Sequence, residues 1–199
     1  MKTSSSVIRC PWVDLTKPEY IHYHDTEWGV PVHDDRKLFE FLILESAQAG
    51  LSWYTILRRR RLYREAFADW NPQRVARFTD ADIARLMNDS GIIRNRKKIE
   101  AAVRNAQAFL GVQEAFGSFD AYAWRFVGGR TIVNALHAMA DYPVTSPEAK
   151  AMSRDMRQRG FVFFGPIICY AHMQATGMVL DHTVDCFRRE EILQMLTDD

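Results

Sequence analysis

Leu38-Phe39-Glu40-Phe41-Leu42-Ile43-Leu44-Glu45, running on into Gln48-Ala49-Gly50-Leu51-Ser52-Trp53, carries the plainest architectural signal in the chain. Leu38, Phe41, Leu42 and Glu45 recur at i, i+3, i+4 and i+7, the spacing of one helix face. Asp34 or Asp35 is placed to cap that helix and Gly50 to end it; Ser52 then caps a second helix predicted from Trp53 to about Ala66. The same reading extends outward. Asn71-Pro72 and Thr79 open two short helices, and Asn88-Asp89-Ser90-Gly91 is a turn before a long amphipathic stretch from Arg94 to Leu110. Ser146-Pro147 starts another helix, and Phe161 to Met178, apolar nearly all round, is expected to be a central buried helix after a loop at Gly165-Pro166. No segment shows convincing strand alternation, and no linker, repeat or low-complexity tract divides the chain. The expectation is an all-α fold in a single domain over residues 1–199, closing on a charged helical tail, 187–199.

Glu45 conflicts with its own helix, since the pattern puts a carboxylate on the face that should be apolar. A buried carboxylate is costly unless it is paired or used. An arginine or backbone amide could satisfy it; the alternative is a binding role. The Gly50-Leu51-Ser52-Trp53 turn folds the chain back so that an indole can approach the carboxylate, an arrangement suited to a flat, cationic ring. Trp12, Tyr20, Tyr23 and Trp28 crowd the amino-terminal segment. Each alone could be core filling; together they could wall a pocket for a planar base.

Cys10 and His24 near one end, with His182 and Cys186 near the other, have the chemistry of one tetrahedral Cys2His2 zinc site. His182 and Cys186 are four apart and would share a face on a helix. With four protein ligands no position is left for water, so the expected Zn2+ is structural and ties the terminal segments together. Two readings compete: incidental core cysteines and histidines, or a zinc hydrolase using His22, His24 and Cys186 with an open position.

Two basic clusters follow. Arg58, Arg59, Arg60, Arg61 and Arg64 read as a solvated helix face, whereas Arg94, Arg96, Lys97 and Lys98 open a helix just after the Gly91 turn. Helix, tight turn, exposed amides and cations form a helix-hairpin-helix arrangement that can grip a phosphate without reading sequence. Net charge is only +1, so nucleic-acid binding must come from such local patches. With 199 residues and 47% hydrophobic content the chain can bury a substantial core, and three widely spaced cysteines argue against a disulfide framework. No apolar run approaches membrane-spanning length and no signal peptide is evident, so a cytoplasmic protein with no membrane partner is expected.

Cys10-Pro11-Trp12, Tyr23-His24-Asp25, Glu27-Trp28-Gly29-Val30-Pro31, Leu44-Glu45, Gln48 to Trp53, Gly91-Ile92-Ile93-Arg94, Gly160-Phe161, Ile168-Cys169-Tyr170 and Asp181-His182 together resemble the DNA-3-methyladenine glycosylase I family, in order, over residues 9 to 186. The resemblance implies a monomeric helix-hairpin-helix DNA repair enzyme with a structural zinc, acting on double-stranded DNA containing alkylated adenine. It would flip out N3-methyladenine and hydrolyse its N-glycosidic bond. It further implies that Glu45 and Tyr23 recognise the base, that Trp53 stacks on it, that Trp12 and Trp28 complete the pocket, and that Cys10, His24, His182 and Cys186 hold zinc. Leu51, at the tip of the turn, is the candidate wedge for the gap a flipped base leaves, with a buried leucine the alternative. Many helix-hairpin-helix glycosylases carry an aspartate beyond the hairpin. Here no acid lies between Ala101 and Val112. Pro11, Leu180 and the charged tail depart from the family pattern without removing any proposed ligand. A non-catalytic zinc-stabilised DNA-binding module would share the metal and the hairpin but would have no use for Glu45.

Overall fold

The computed structural model describes residues 7–198. Eleven α-helices lie in this span: α1 Pro18–Thr26, α2 Asp35–Gln48, α3 Trp53–Leu57, α4 Arg60–Ala66, α5 Pro72–Val75, α6 Asp80–Met87, α7 Arg96–Phe116, α8 Phe119–Trp124, α9 Pro147–Gln158, α10 Pro166–Ala175 and α11 Phe187–Asp198. The centre is α2, not the 161–178 segment. Every residue from Leu38 to Ala47 is buried, and α2 packs against α3, α7, α8 and α10. Asp34 accepts from the Lys37 amide at 2.8 Å to start the helix, and Gly50, at φ +77°, turns the chain where a Cβ would be strained.

The segment expected as the central helix is interrupted at both ends. Residues 161–165 form a loop in which Phe163 has φ +53° and is exposed, and Ile167, in the first turn of α10, is 61% exposed. After α10 the chain makes a two-residue strand, β2 Val179–Leu180, parallel to β1 Ile132–Val133. These strands modify the purely helical expectation, and they are too short for alternation to show in sequence. Gly177, at φ +71°, permits the turn: a Cβ there would lie 2.4 Å from the backbone of Val30 and Pro31.

The helix predicted over 53–66 is also split. Arg58 and Arg59 separate α3 from α4, and Arg60 turns inward to bond Glu27 at 2.7 Å and Glu40 at 2.6 Å. The run of arginines is therefore not one solvated face: Arg60 is a partly buried ion-pair hub, while Arg61 and Arg64 pair at the surface with Glu65 and Asp69. The remaining boundaries follow their caps. Asn95 accepts from the Lys98 amide, so α7 begins at Arg96 rather than Arg94, and it continues past Leu110 to Gly117 at φ +85°.

Candidate active site

Ser52 accepts from the Thr55 amide to start α3 and so places Trp53 beside the end of α2. Glu45, Trp53, Tyr23 of α1, and Trp12 and Trp28 from the flanking loops line one cavity of about 250 Å³. The Tyr23 and Trp53 rings are 5.3 Å apart and tilted, and Trp12 meets Trp28 edge-on at 4.9 Å. Glu45 is buried, and among the described residues its carboxyl has no hydrogen-bond or ion-pair partner. Burial alone pushes it up to about 8, so it holds its proton near neutrality. The Tyr23 phenol is driven well above its usual value, first by burial and then by the Glu45 charge, and remains a donor. Tyr20 packs against Trp12 at 5.2 Å, supporting the wall rather than lining the cavity.

The structure adds residues with no legible signal in the sequence: Met139, Tyr142 and Pro143 from the loop before α9, and Ala171 and Gln174 from α10. Only the one-turn spacing of Ala171 and Gln174 hints that they share a face.

Cys10, His24, His182 and Cys186 are all buried and their ligand atoms lie within 4.8 Å of one another, a cluster able to hold a metal ion. Cys10 Sγ and Cys186 Sγ each stand 3.3 Å from His182 Nδ1, and Cys186 Sγ is 3.5 Å from His24 Nε2. The outer nitrogens are committed elsewhere. His24 Nδ1 faces Asp25 at 2.8 Å, which is clamped by Arg9, and His182 Nε2 donates to the Trp28 carbonyl at 2.9 Å. Those bonds leave the inner nitrogen of each ring unprotonated, with its lone pair turned to the cluster; that of His24 accepts from the Cys10 amide at 3.3 Å. Contrary to expectation, His182 and Cys186 do not sit on a helix. They flank a turn between β2 and α11, where the Cys186 amide donates to Thr183, and the pairing of β1 with β2 holds the approach to that turn. His22 is exposed and outside the cluster, which removes the ligand set of an open hydrolytic site.

The cluster and the cavity share a wall. Trp28 lies 4.7 Å from the His182 ring, and Gly29, at φ +80°, brings the backbone so close that a Cβ would sit 3.1 Å from that imidazole. In the turn between α2 and α3, Leu51 is 37% exposed, not buried. α6 and α7 are joined through Gly91, whose amide donates to Asp89 at 2.7 Å. Arg94, Arg96 and Lys97 are exposed there; Lys98 instead donates to the carbonyls of Ala47 and Ala49 at 2.8 and 2.5 Å, tying the hairpin to the end of α2.

The sequence model of the family described as methyladenine glycosylase matches residues 12–189. The chain is similar to the DNA-3-methyladenine glycosylase of Haemophilus influenzae, with 46% identity over 178 residues, 89% of this chain and 96% of the relative. Its structure is similar to a crystal structure of 3-methyladenine DNA glycosylase I, with TM-score 0.88 and 44% identity, covering 90% of this chain and 98% of the other. It is also similar to a variant of 3-methyladenine DNA glycosylase I in complex with 3-methyladenine, with TM-score 0.85 and 39% identity over 87% and 93% of the two chains.

Proposed function

The chain belongs to the methyladenine glycosylase family, and we propose from that premise how its residues perform the reaction. It is a DNA base-excision repair glycosylase that hydrolyses the N-glycosidic bond of N3-methyladenine, leaving an abasic site. The observation that carries the residue-level reading is Glu45: a carboxyl with no partner among the described residues, on a buried helix and lining an aromatic cavity.

A base methylated at N3 is cationic and already a good leaving group. As that ring enters, its charge favours the ionised Glu45, which accepts from the exocyclic amine; a neutral adenine offers no such compensation for a buried charge. Trp53 supplies a ring face, worth roughly 2 kcal/mol towards a desolvated cation, and Tyr23 supplies a phenol donor. When the C1′–N bond breaks, its electron pair goes to the ring and neutralises it. Water forms the C1′–O bond and gives up a proton. Little acid catalysis is needed, and among the described residues Glu45 is the one carboxylate that lines the cavity.

The donor set of the metal cluster fits Zn2+. With Zn–S near 2.3 Å and Zn–N near 2.0 Å, a tetrahedron has S···N edges of about 3.5 Å, against the 3.3 to 3.5 Å observed. The ion held by Cys10, His24, His182 and Cys186 supplies a structural cross-link, and these residues position Trp28 and Trp12. The α6–α7 hairpin, with Gly91, Arg94, Arg96 and Lys97, grips duplex phosphates as a helix-hairpin-helix, Lys98 bracing it from behind. Leu51 fills the gap left by the flipped base. Chromatography of the bases released from methylated duplex DNA tests this reading. Wild-type protein releases 3-methyladenine with little 7-methylguanine and Glu45→Gln releases far less; no release by folded, zinc-loaded protein refutes it.

A further inference from the structure

Gln174 lines the same cavity as Glu45, but its side chain is not free to choose which end it presents. Its Nε2 donates to Asp181 Oδ2 at 2.7 Å. Asp181 is fully buried and takes two further donors, Tyr170 Oη at 2.8 Å and Asn134 Nδ2 at 2.7 Å. Burial and the Asp181 charge push the Tyr170 phenol up, so it stays a donor. A carboxylate held by three donors cannot face an amide oxygen, which would set lone pairs against lone pairs. The amide is therefore locked in one orientation. Its oxygen has no hydrogen-bond partner among the described residues. The backbone of the same residue is also fixed, its carbonyl accepting from the Gly29 amide at 3.0 Å.

We propose that Gln174 is a specificity-determining residue, whose Asp181-locked side-chain oxygen accepts the second hydrogen of the exocyclic 6-amino group while Glu45 accepts the first. This rests on the proposed reaction at the same site and adds a chemical filter to it. An amine has two hydrogens for two acceptors. A purine with an oxo group at position 6 brings a third oxygen to that edge and offers neither acceptor a 6-amino hydrogen. Charge, read by Glu45 and the indoles, and the 6-substituent, read by the pair of acceptors, are thus selected separately.

The test compares free 3-methyladenine with 3-methylhypoxanthine, which differ at position 6, by quenching of tryptophan fluorescence in zinc-loaded wild type and in Gln174→Met, a side chain of similar length with no hydrogen-bonding amide. Loss of one hydrogen bond to a neutral acceptor corresponds to roughly tenfold. The wild-type preference for the 6-amino base is expected to fall about tenfold in the variant, with most of the change in 3-methyladenine affinity. An unchanged ratio overturns the assignment, provided that wild type releases 3-methyladenine from methylated DNA; absence of that release is a failure of the reaction itself and is seen separately. Should the variant not fold, the wild-type protein still decides: the Gln174 side-chain amide must be protected from exchange and must shift when 3-methyladenine saturates the site. An unshifted signal overturns the proposal.

Discussion

Glu45 sets a measurable conflict between function and stability. Burial pushes its carboxyl up to about 8 from an ordinary 4.5. Between those values the folded protein retains a proton that the unfolded chain has released. Stability therefore falls as pH rises through this window, by about 1.4 kcal/mol per unit, and levels off above pH 8. Below pH 4 the group contributes no penalty. The accumulated cost is about 3 kcal/mol at pH 7 and roughly 4 at pH 8. Glu45→Gln removes the titration. The glutamine amide has its own cost of burial, about 1 to 3 kcal/mol, but this offset does not change with pH. Urea denaturation of both proteins from pH 5 to 8, at fixed zinc, should show wild type losing about 3 kcal/mol relative to the variant across the range. At 2 to 4 °C per kcal/mol for a chain of this size, this is a divergence in Tm of roughly 6 to 12 °C. Because every other titrating group is common to both proteins, parallel curves would refute the reasoning.

Cys186→Ala should lose bound zinc and thermal stability together, by about 4 kcal/mol if zinc is held at a thousand times its dissociation constant; a metal-free variant of undiminished Tm would rule out a structural ion. Gly29→Ala forces a side chain to φ +80° and against His182. It should destabilise by about 1 to 3 kcal/mol and speed zinc transfer to a chelator, and zinc retention equal to wild type would contradict the close approach. Leu51→Ala, at an exposed site, should shift stability by less than about 0.5 kcal/mol, yet slow excision from duplex more than from single-stranded DNA; equal effects on the two would dismiss the wedge. Arg94→Ala should weaken DNA binding and flatten the plot of log K against log salt by about 0.9, the signature of one lost phosphate contact. An unaltered slope places Arg94 off the DNA.

Glu45 was legible in the sequence because it violates the period of its own helix, and the metal donors because cysteine and histidine are few. What escaped depended on distant partners. Nothing between Trp53 and Ala66 announces the break at Arg58–Arg59, since it accompanies the inward turn of Arg60 to Glu27 and Glu40. The four-residue spacing of His182 and Cys186 suits a helix equally well. It becomes a turn because β1, some fifty residues upstream, pairs with β2. Lys98 read as a surface cation until the carbonyls at the end of α2 claimed it. Met139, Tyr142 and Pro143 sit in a loop with no periodicity to read, and Gln174 becomes informative only once Asp181 is seen to fix its amide.

The distribution of the four donors bears on when in the life of each molecule the site can exist. Cys10 and His182 meet across 172 positions of chain. During synthesis at about 5 to 20 residues per second, the segment bearing Trp12, Tyr23 and Trp28 emerges early and then waits for its anchor until translation has passed residue 186. The central helix α2 waits nearly as long, because α10, residues 166–175, is one of the helices it packs against. A polypeptide truncated ahead of Cys186 would lack one of the four donors of the cluster that backs the cavity wall at Trp28.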